Sequence, residues 1–134
     1  MSKNWSKDIN NMHTKFGVRE CVKNFDKQKL YAFLEFRAKF LQEELDELKG
    51  AKEAEDVVDA LIDLCVVAIG TLDAFGVDAH TAWDRVHRAN MQKEVGIKFS
   101  RPNPLGLPDL VKPAGWTAPS HRDNVGQLEM IFTD

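Results

Sequence analysis

The chain has 134 residues, a 43% hydrophobic fraction and a formal net charge of −3. That fits a single domain with enough apolar content for a packed core, over about 1–95, and a tail over about 96–134. No run of lysines and arginines offers a nucleic-acid footprint, and no apolar run is long enough to span a membrane. Cys21 and Cys65 are the only cysteines and support neither a metal spacing nor a disulfide framework. The opening MSKNWSKDIN carries no apolar signal segment, so a cytoplasmic setting is expected.

Trp5, Ile9, Met12 and Phe16 recur at helical spacing and predict an amphipathic helix that Gly17 ends. A connector to about Phe25 follows. Asp26 has the chemistry of an N-cap for a long helix up to residue 49, with Gly50 as its stop. In that helix Leu30, Leu34, Ala38, Leu41, Leu45 and Leu48 form one stripe. Phe33, Phe36 and Phe40 form a neighbouring stripe that continues into Glu44 and Glu47. The third helix, over 53–75 and stopped by Gly76, is apolar almost all round and is expected to be the most buried element. Asp78 then caps a fourth helix over 79–94, closed by Gly96, with Trp83, Val86, Asn90 and Lys93 along one side.

All five prolines fall after residue 100, so the remainder reads as an irregular tail. Trp116 and the terminal Leu128 to Phe132 suggest that it packs on something. No strand-period alternation precedes residue 100. The expected class is all-α, a four-helix-bundle-like fold with a Pro-rich C-terminal tail. Four short helices leave the third exposed, so a homo-oligomer, a dimer or a dimer of dimers, is expected. The first helix and the tail are the other available cover.

Carboxylates stand where a helical core belongs. From Glu35 to Asp63 there are ten acids against four bases. Residues three and four apart share a helix face, so Glu44 pairs with Glu47, and Asp56, Asp59 and Asp63 line up on the next helix. Asp59 and Asp63 lie inside an apolar run, where a bare carboxylate costs several kcal/mol or titrates to neutral. A hard divalent cation such as Mg²⁺, held through oxygen between the two helices, removes that cost. A solvated stripe, or pairing with arginine and lysine, is the plainer alternative.

Four stretches carry a family resemblance. Glu43-Glu44-Leu45-Asp46-Glu47 resembles a Glu-Glu-x-x-Glu motif, and Asp59-Ala60-Leu61-Ile62-Asp63-Leu64 a second acidic motif. Arg85 to Lys93 resembles a segment ending in asparagine and lysine, and Lys112-Pro113-Ala114-Gly115-Trp116 a Lys-Pro-x-Gly-Trp tail. Together they resemble the MazG-like members of the all-α nucleoside triphosphate pyrophosphatases, of phage and bacterial type, relatives of phosphoribosyl-ATP pyrophosphatase. In one departure, Ala60 stands where many members carry glutamate. Asp59 is the substitute, and Asp56-x-x-Asp59 is a second register.

The resemblance implies hydrolysis of a nucleoside or deoxynucleoside triphosphate between the α and β phosphates, giving a monophosphate and pyrophosphate. It implies Mg²⁺, with Mn²⁺ as a substitute, held by Glu44, Glu47, Asp59 and Asp63 against the phosphate oxygens. Glu43 or Glu44 is the implied base that helps a water attack the α phosphorus. Asn90, Lys93 and Arg88 are implied on the β and γ phosphates, and Lys112 on the ligand from the tail. His13, Phe16, Phe36 and Trp83 are candidates for fencing the base, with Phe16 favoured by its place at a helix end. No nucleic-acid or membrane partner is implied, and a phage-encoded chain would work in the host cytoplasm. Two other classes compete. A ferritin-like di-iron bundle needs Glu-x-x-His motifs that this sequence lacks. A non-catalytic helical interaction module needs the leucine stripes but not Asp59 and Asp63.

Overall fold

The computed structural model describes residues 3–101 and 105–134. They form two compact units, Met1–Ala79 together with Asn124–Asp134, and His80–Asp123.

In the first unit, α1 (Trp5–Phe16) starts at Asn4, whose side chain accepts from Lys7 N–H. It ends at Gly17, where a φ of 74° turns the backbone N–H onto the carbonyls of His13 and Thr14. The connector expected next is instead a short helix, α2 (Val18–Lys23). Val18 and Val22 are four residues apart, so little more than a turn of helix presents both to the core. α3 (Lys27–Lys49) begins where Asp26 accepts from Lys29 N–H at 2.8 Å. α4 (Ala54–Ala74) lies against both α1 and α3. A 3₁₀ turn (Gly126–Leu128) and α6 (Glu129–Phe132) complete the unit, so the expected irregular tail is partly regular.

The core gathers Val22, Leu30, Ala74, Phe75, Val77 and Ile131. Phe75, Leu30 and Val22 are fully buried, and each such side chain contributes about 1.5–3 kcal/mol of transfer free energy. Polar side chains fasten the helices as well. His13 is 4% exposed, and its Nδ1 lies 2.8 Å from Asp73 Oδ2. Asn10 donates to the other Asp73 oxygen at 2.9 Å, so α1 is tied to α4 through one carboxylate. Arg37 crosses from α3 to α4, donating to Thr71 Oγ1 and to the Val67 carbonyl, each at 2.9 Å. Burial pulls its guanidinium below its ordinary pKa.

Among the described residues α4 holds more buried positions than any other helix, as expected, yet it is far from covered all round. Only Ala60, Val67, Gly70 and Ala74 are buried in it, while Val57, Val58, Leu61 and Ile62 are exposed. The apolar ring read from the sequence is real, but α1 and α3 cover only part of it.

In the second unit, α5 (Ala79–Met91) is three residues shorter than expected. The chain then enters β1 (Glu94–Gly96), which pairs antiparallel with β2 (Asp109–Val111), Glu94 opposite Val111 and Gly96 opposite Asp109. Gly96 is therefore a strand residue and not a helix stop. Trp116 fixes the following segment by donating its Nε1–H to the Ala89 carbonyl at 2.7 Å. That carbonyl lies in the last turn of α5 and also accepts from Gln92 N–H at 3.2 Å. Arg85 grips Asp123 through two hydrogen bonds and holds its carboxyl below the usual range.

Candidate metal centre

α3 and α4 are joined by a short turn and pass each other in opposite directions, so the end of one meets the start of the other. Glu44 and Glu47, one turn apart on α3, thereby meet Asp63 of α4. One carboxylate oxygen from each of the three lies within 4.8 Å of the others. Glu44 is 8% exposed, and its Oε2 has no hydrogen-bond partner. Burial pushes the Glu44 carboxyl above its ordinary pKa, and the charges of Glu47, Asp63 and Asp59 push it in the same direction. Among the described residues, no lysine, arginine or histidine forms an ion pair with any of the three. Arg37, two turns earlier on α3, is committed to Val67 and Thr71.

Three converging carboxylates, one of them on a buried residue with an unpartnered oxygen, suit a hard divalent cation. The donor set fits Mg²⁺ or Mn²⁺ and lacks the sulfur and imidazole that favour softer metals. Beside the cluster lies a cleft of about 350 Å³ lined by Glu47, Gly50, Ala51, Asp56, Asp59 and Ala60. Asp59 faces this cleft and is not one of the three converging ligands. Ala60, at the position of the family glutamate, is buried and offers no oxygen.

The remaining sequence candidates fall elsewhere. Glu43 is exposed and belongs to neither the cluster nor the cleft. Phe16 sits at the end of α1, 70% exposed, with the Lys15 ammonium 5.4 Å from its ring centre. Phe36 and Trp83 are exposed, while His13 is consumed by Asp73 and cannot fence a base. Arg88, Asn90, Lys93 and Lys112 all belong to the second unit. There Arg88 pairs with Asp84 at 3.0 Å. Sequence reasoning missed the roles of Arg37 and Asp73. The available signal for Arg37 was its place between Phe33 and Leu41 in an otherwise apolar stripe.

These features define a mostly helical protein of the all-α class with a carboxylate cluster between two helices that could hold a cation. Comparison with known families matches residues 18–90 to phosphoribosyl-ATP pyrophosphohydrolase, and the chain belongs to that family. The matched span covers more than half of the chain and holds Glu44, Glu47, Asp59, Asp63, Arg88 and Asn90, but not Phe16, Lys93 or Lys112. No curated protein matches the chain. Membership makes pyrophosphohydrolase chemistry its activity class. Among the described residues, no single helix is long and apolar enough to cross a membrane.

Proposed function

We propose that the chain hydrolyses nucleoside or deoxynucleoside triphosphates between the α and β phosphates, releasing a monophosphate and pyrophosphate. The observation that carries this reading is the convergence of Glu44, Glu47 and Asp63 with Glu44 Oε2 unsatisfied. A polyanionic triphosphate cannot approach three carboxylates unless their charge is first offset. Glu44, Glu47 and Asp63 would hold Mg²⁺, with Mn²⁺ as a substitute and Asp59 at the edge of the site. When bound, the cation supplies charge neutralisation of the phosphate oxygens and of the negative charge that develops as the anhydride breaks. The water oxygen forms a bond to the α phosphorus as the bond from that phosphorus to the bridging oxygen breaks. Pyrophosphate leaves with the bridging oxygen, and the water proton passes to a carboxylate. Of the two base candidates, Glu44 is the better supported, because it belongs to the converging cluster and its buried Oε2 has no partner, while Glu43 is exposed and outside the cluster. The phosphate tail needs cations, and Arg88, Lys93 and Lys112, with Asn90, are those that the resemblance assigns to it. Phe16 is the proposed base contact.

The exposed Val57, Val58, Leu61 and Ile62 on α4 support a homo-oligomer, dimer or dimer of dimers, as the working form. The same face would also serve a non-catalytic interaction module, the second reading. The test is a panel of the eight common nucleoside and deoxynucleoside triphosphates, with and without Mg²⁺, with products separated by anion exchange. Monophosphate and pyrophosphate formed only with the metal are the expected result. Absence of turnover of every triphosphate in the presence of metal overturns the proposal in favour of the interaction module.

A further inference from the structure

The β1–β2 hairpin carries its apolar side chains outward. Val95 stands opposite Leu110 in the register, and both are exposed. Ile97 and Phe99, just past β1, and Leu105 and Leu107, just before β2, are exposed as well, Phe99 by 93%. Two strands of three residues hold each other weakly and need an apolar face covered to be stable. Monomers rarely leave so many large apolar side chains together in water, and such patches mark interaction sites.

The first unit offers a hollow of matching character. A groove of about 290 Å³ runs between α1 and α4, lined chiefly by Trp5, Ile9, Ile62, Cys65 and Ile69. Asp8 is the one charged residue in its lining. Ile62 is exposed, and exposed Val58, one turn earlier on the same face of α4, continues the apolar floor. None of Glu44, Glu47 and Asp63 lines the groove, so it is separate from the metal centre.

The two surfaces belong to units of opposite charge. Residues 80–123 carry seven bases against four acids, a net of +3, and the rest of the chain eleven bases against seventeen acids, a net of −6. Within 93–112, Lys93, Lys98, Arg101 and Lys112 outnumber Glu94 and Asp109. This balance favours the hairpin of one copy approaching the groove of another, and opposes groove against groove or hairpin against hairpin.

We propose that the apolar side of the hairpin seats in the α1–α4 groove of a second copy, with Phe99 as its anchor, and that two copies exchange hairpins reciprocally. The proposal rests on the homo-oligomer reading and names what covers the apolar face of α4. A large aromatic side chain filling a pocket supplies a disproportionate share of the binding energy of an interface. A standard interface buries about 800 Å² on each partner, and reciprocal exchange forms the same contact twice.

Sedimentation equilibrium of the full chain in EDTA, without nucleotide, tests the exchange. The parent is expected to be a dimer. Phe99→Asp on the hairpin and Ile62→Asp in the groove should each raise the dimer Kd by about a hundredfold. Mixing the two variants should form a heterodimer of intermediate affinity, because the intact hairpin of Ile62→Asp still finds the intact groove of Phe99→Asp. Far-ultraviolet circular dichroism separates dissociation from misfolding, and Phe99→Ala is the milder replacement if Phe99→Asp does not fold. Thiol labelling is a second readout. In a Cys21→Ser background Cys65 is the only cysteine, and its labelling should slow as the parent protein is concentrated, but not in Phe99→Asp. Parent-like dimers of Phe99→Asp, or a mixture without heterodimer, overturn the exchange and leave the homo-oligomer to another surface. A parent that is monomeric at every concentration overturns both readings. Co-sedimentation of a monomeric parent with anionic phospholipid vesicles, lost in Phe99→Asp, gives the hairpin to a membrane surface instead.

Discussion

Gly126 is where the C-terminal segment meets the end of α4 backbone to backbone, and Gly126→Ala should be among the most damaging small substitutions in the first unit. Its φ is 53°, and a Cβ there would lie 2.2 Å from the Phe75 carbonyl oxygen and 2.9 Å from the Gly76 carbonyl carbon. These are main-chain atoms at the close of a helix and cannot swing aside as a long side chain could. A left-handed conformation costs a non-glycine residue about 1 kcal/mol by itself. Relieving the overlap by roughly 1 Å breaks the hydrogen bond from Gln127 N–H to the Phe75 oxygen, now 2.8 Å, worth about 1 kcal/mol. The shift also loosens Gln127 from the Val22 carbonyl and Ile131 from the core. Partial loss of that apolar contact adds about 1–2 kcal/mol. The sum, about 3–4 kcal/mol, corresponds to a fall in Tm of roughly 10–15 °C for a chain of this length. Circular dichroism melts of parent and variant measure it. A fall of less than roughly 3 °C would show that the C-terminal turn does not dock this way and would refute the reasoning.

Two further outcomes follow from the buried polar groups. His13→Ala leaves the Asp73 carboxylate, whose side chain is 12% exposed, with Asn10 as its remaining partner, and should cost about 2–3 kcal/mol in urea unfolding, whereas a loss below about 0.5 kcal/mol would contradict it. The second concerns pH. Glu44 has its folded-state pKa raised, so between its unfolded and folded values the native state holds the extra proton, and metal-free stability falls as pH rises through that window above the ordinary glutamate range. Mg²⁺ should reverse the trend by favouring the ionised form, and Glu44→Gln should flatten the metal-free profile. A metal-free Tm that rises with pH over this window in the parent would sink the argument.

Local signals were enough for α1 and α3, and for the acids. Gly17 and Asp26 are the caps that the sequence advertises, because their roles depend on neighbours three or four residues away. α2 was not legible, since six residues are too few to show a period and its reason to fold is the distant contact of Val22 with the core. The end of α5 was misplaced for a similar reason. Gly96 looks like a helix stop until β2, more than ten residues later, claims it as a strand partner. Arg37 escaped notice because a lone cation in an apolar stripe reads as a surface residue. It is kept there by acceptors on α4, which only the fold brings near.

The antiparallel passage of α3 and α4 also ranks the carboxylates. Asp63 meets buried Glu44, Asp59 faces the cleft with Glu47, and Asp56 lies where the cleft is lined by Gly50 and Ala51 near the turn. Moving from Ala60 to Asp59 rotates a side chain by about 100° around the helix. Asp59 therefore cannot reproduce the direction of a glutamate at position 60, and it approaches the cation from the cleft side. The effects of neutralisation should be graded accordingly. Asp63→Asn should lower triphosphate turnover by about a hundredfold or more, in line with loss of an electrostatic contact to the reacting centre. Asp59→Asn should act chiefly by raising the Mg²⁺ concentration needed for half-maximal rate, and Asp56→Asn should do least. Because Asp63 is repelled by Glu44 in the metal-free chain, Asp63→Asn should also raise metal-free Tm while abolishing its further rise with Mg²⁺. Steady-state rates across a Mg²⁺ series, with melts in EDTA and in Mg²⁺, read both effects on the same proteins. Equal losses at all three positions, or an Asp56→Asn effect larger than that of Asp63→Asn, would show that the cation sits in the open cleft and not at the buried end beside Glu44.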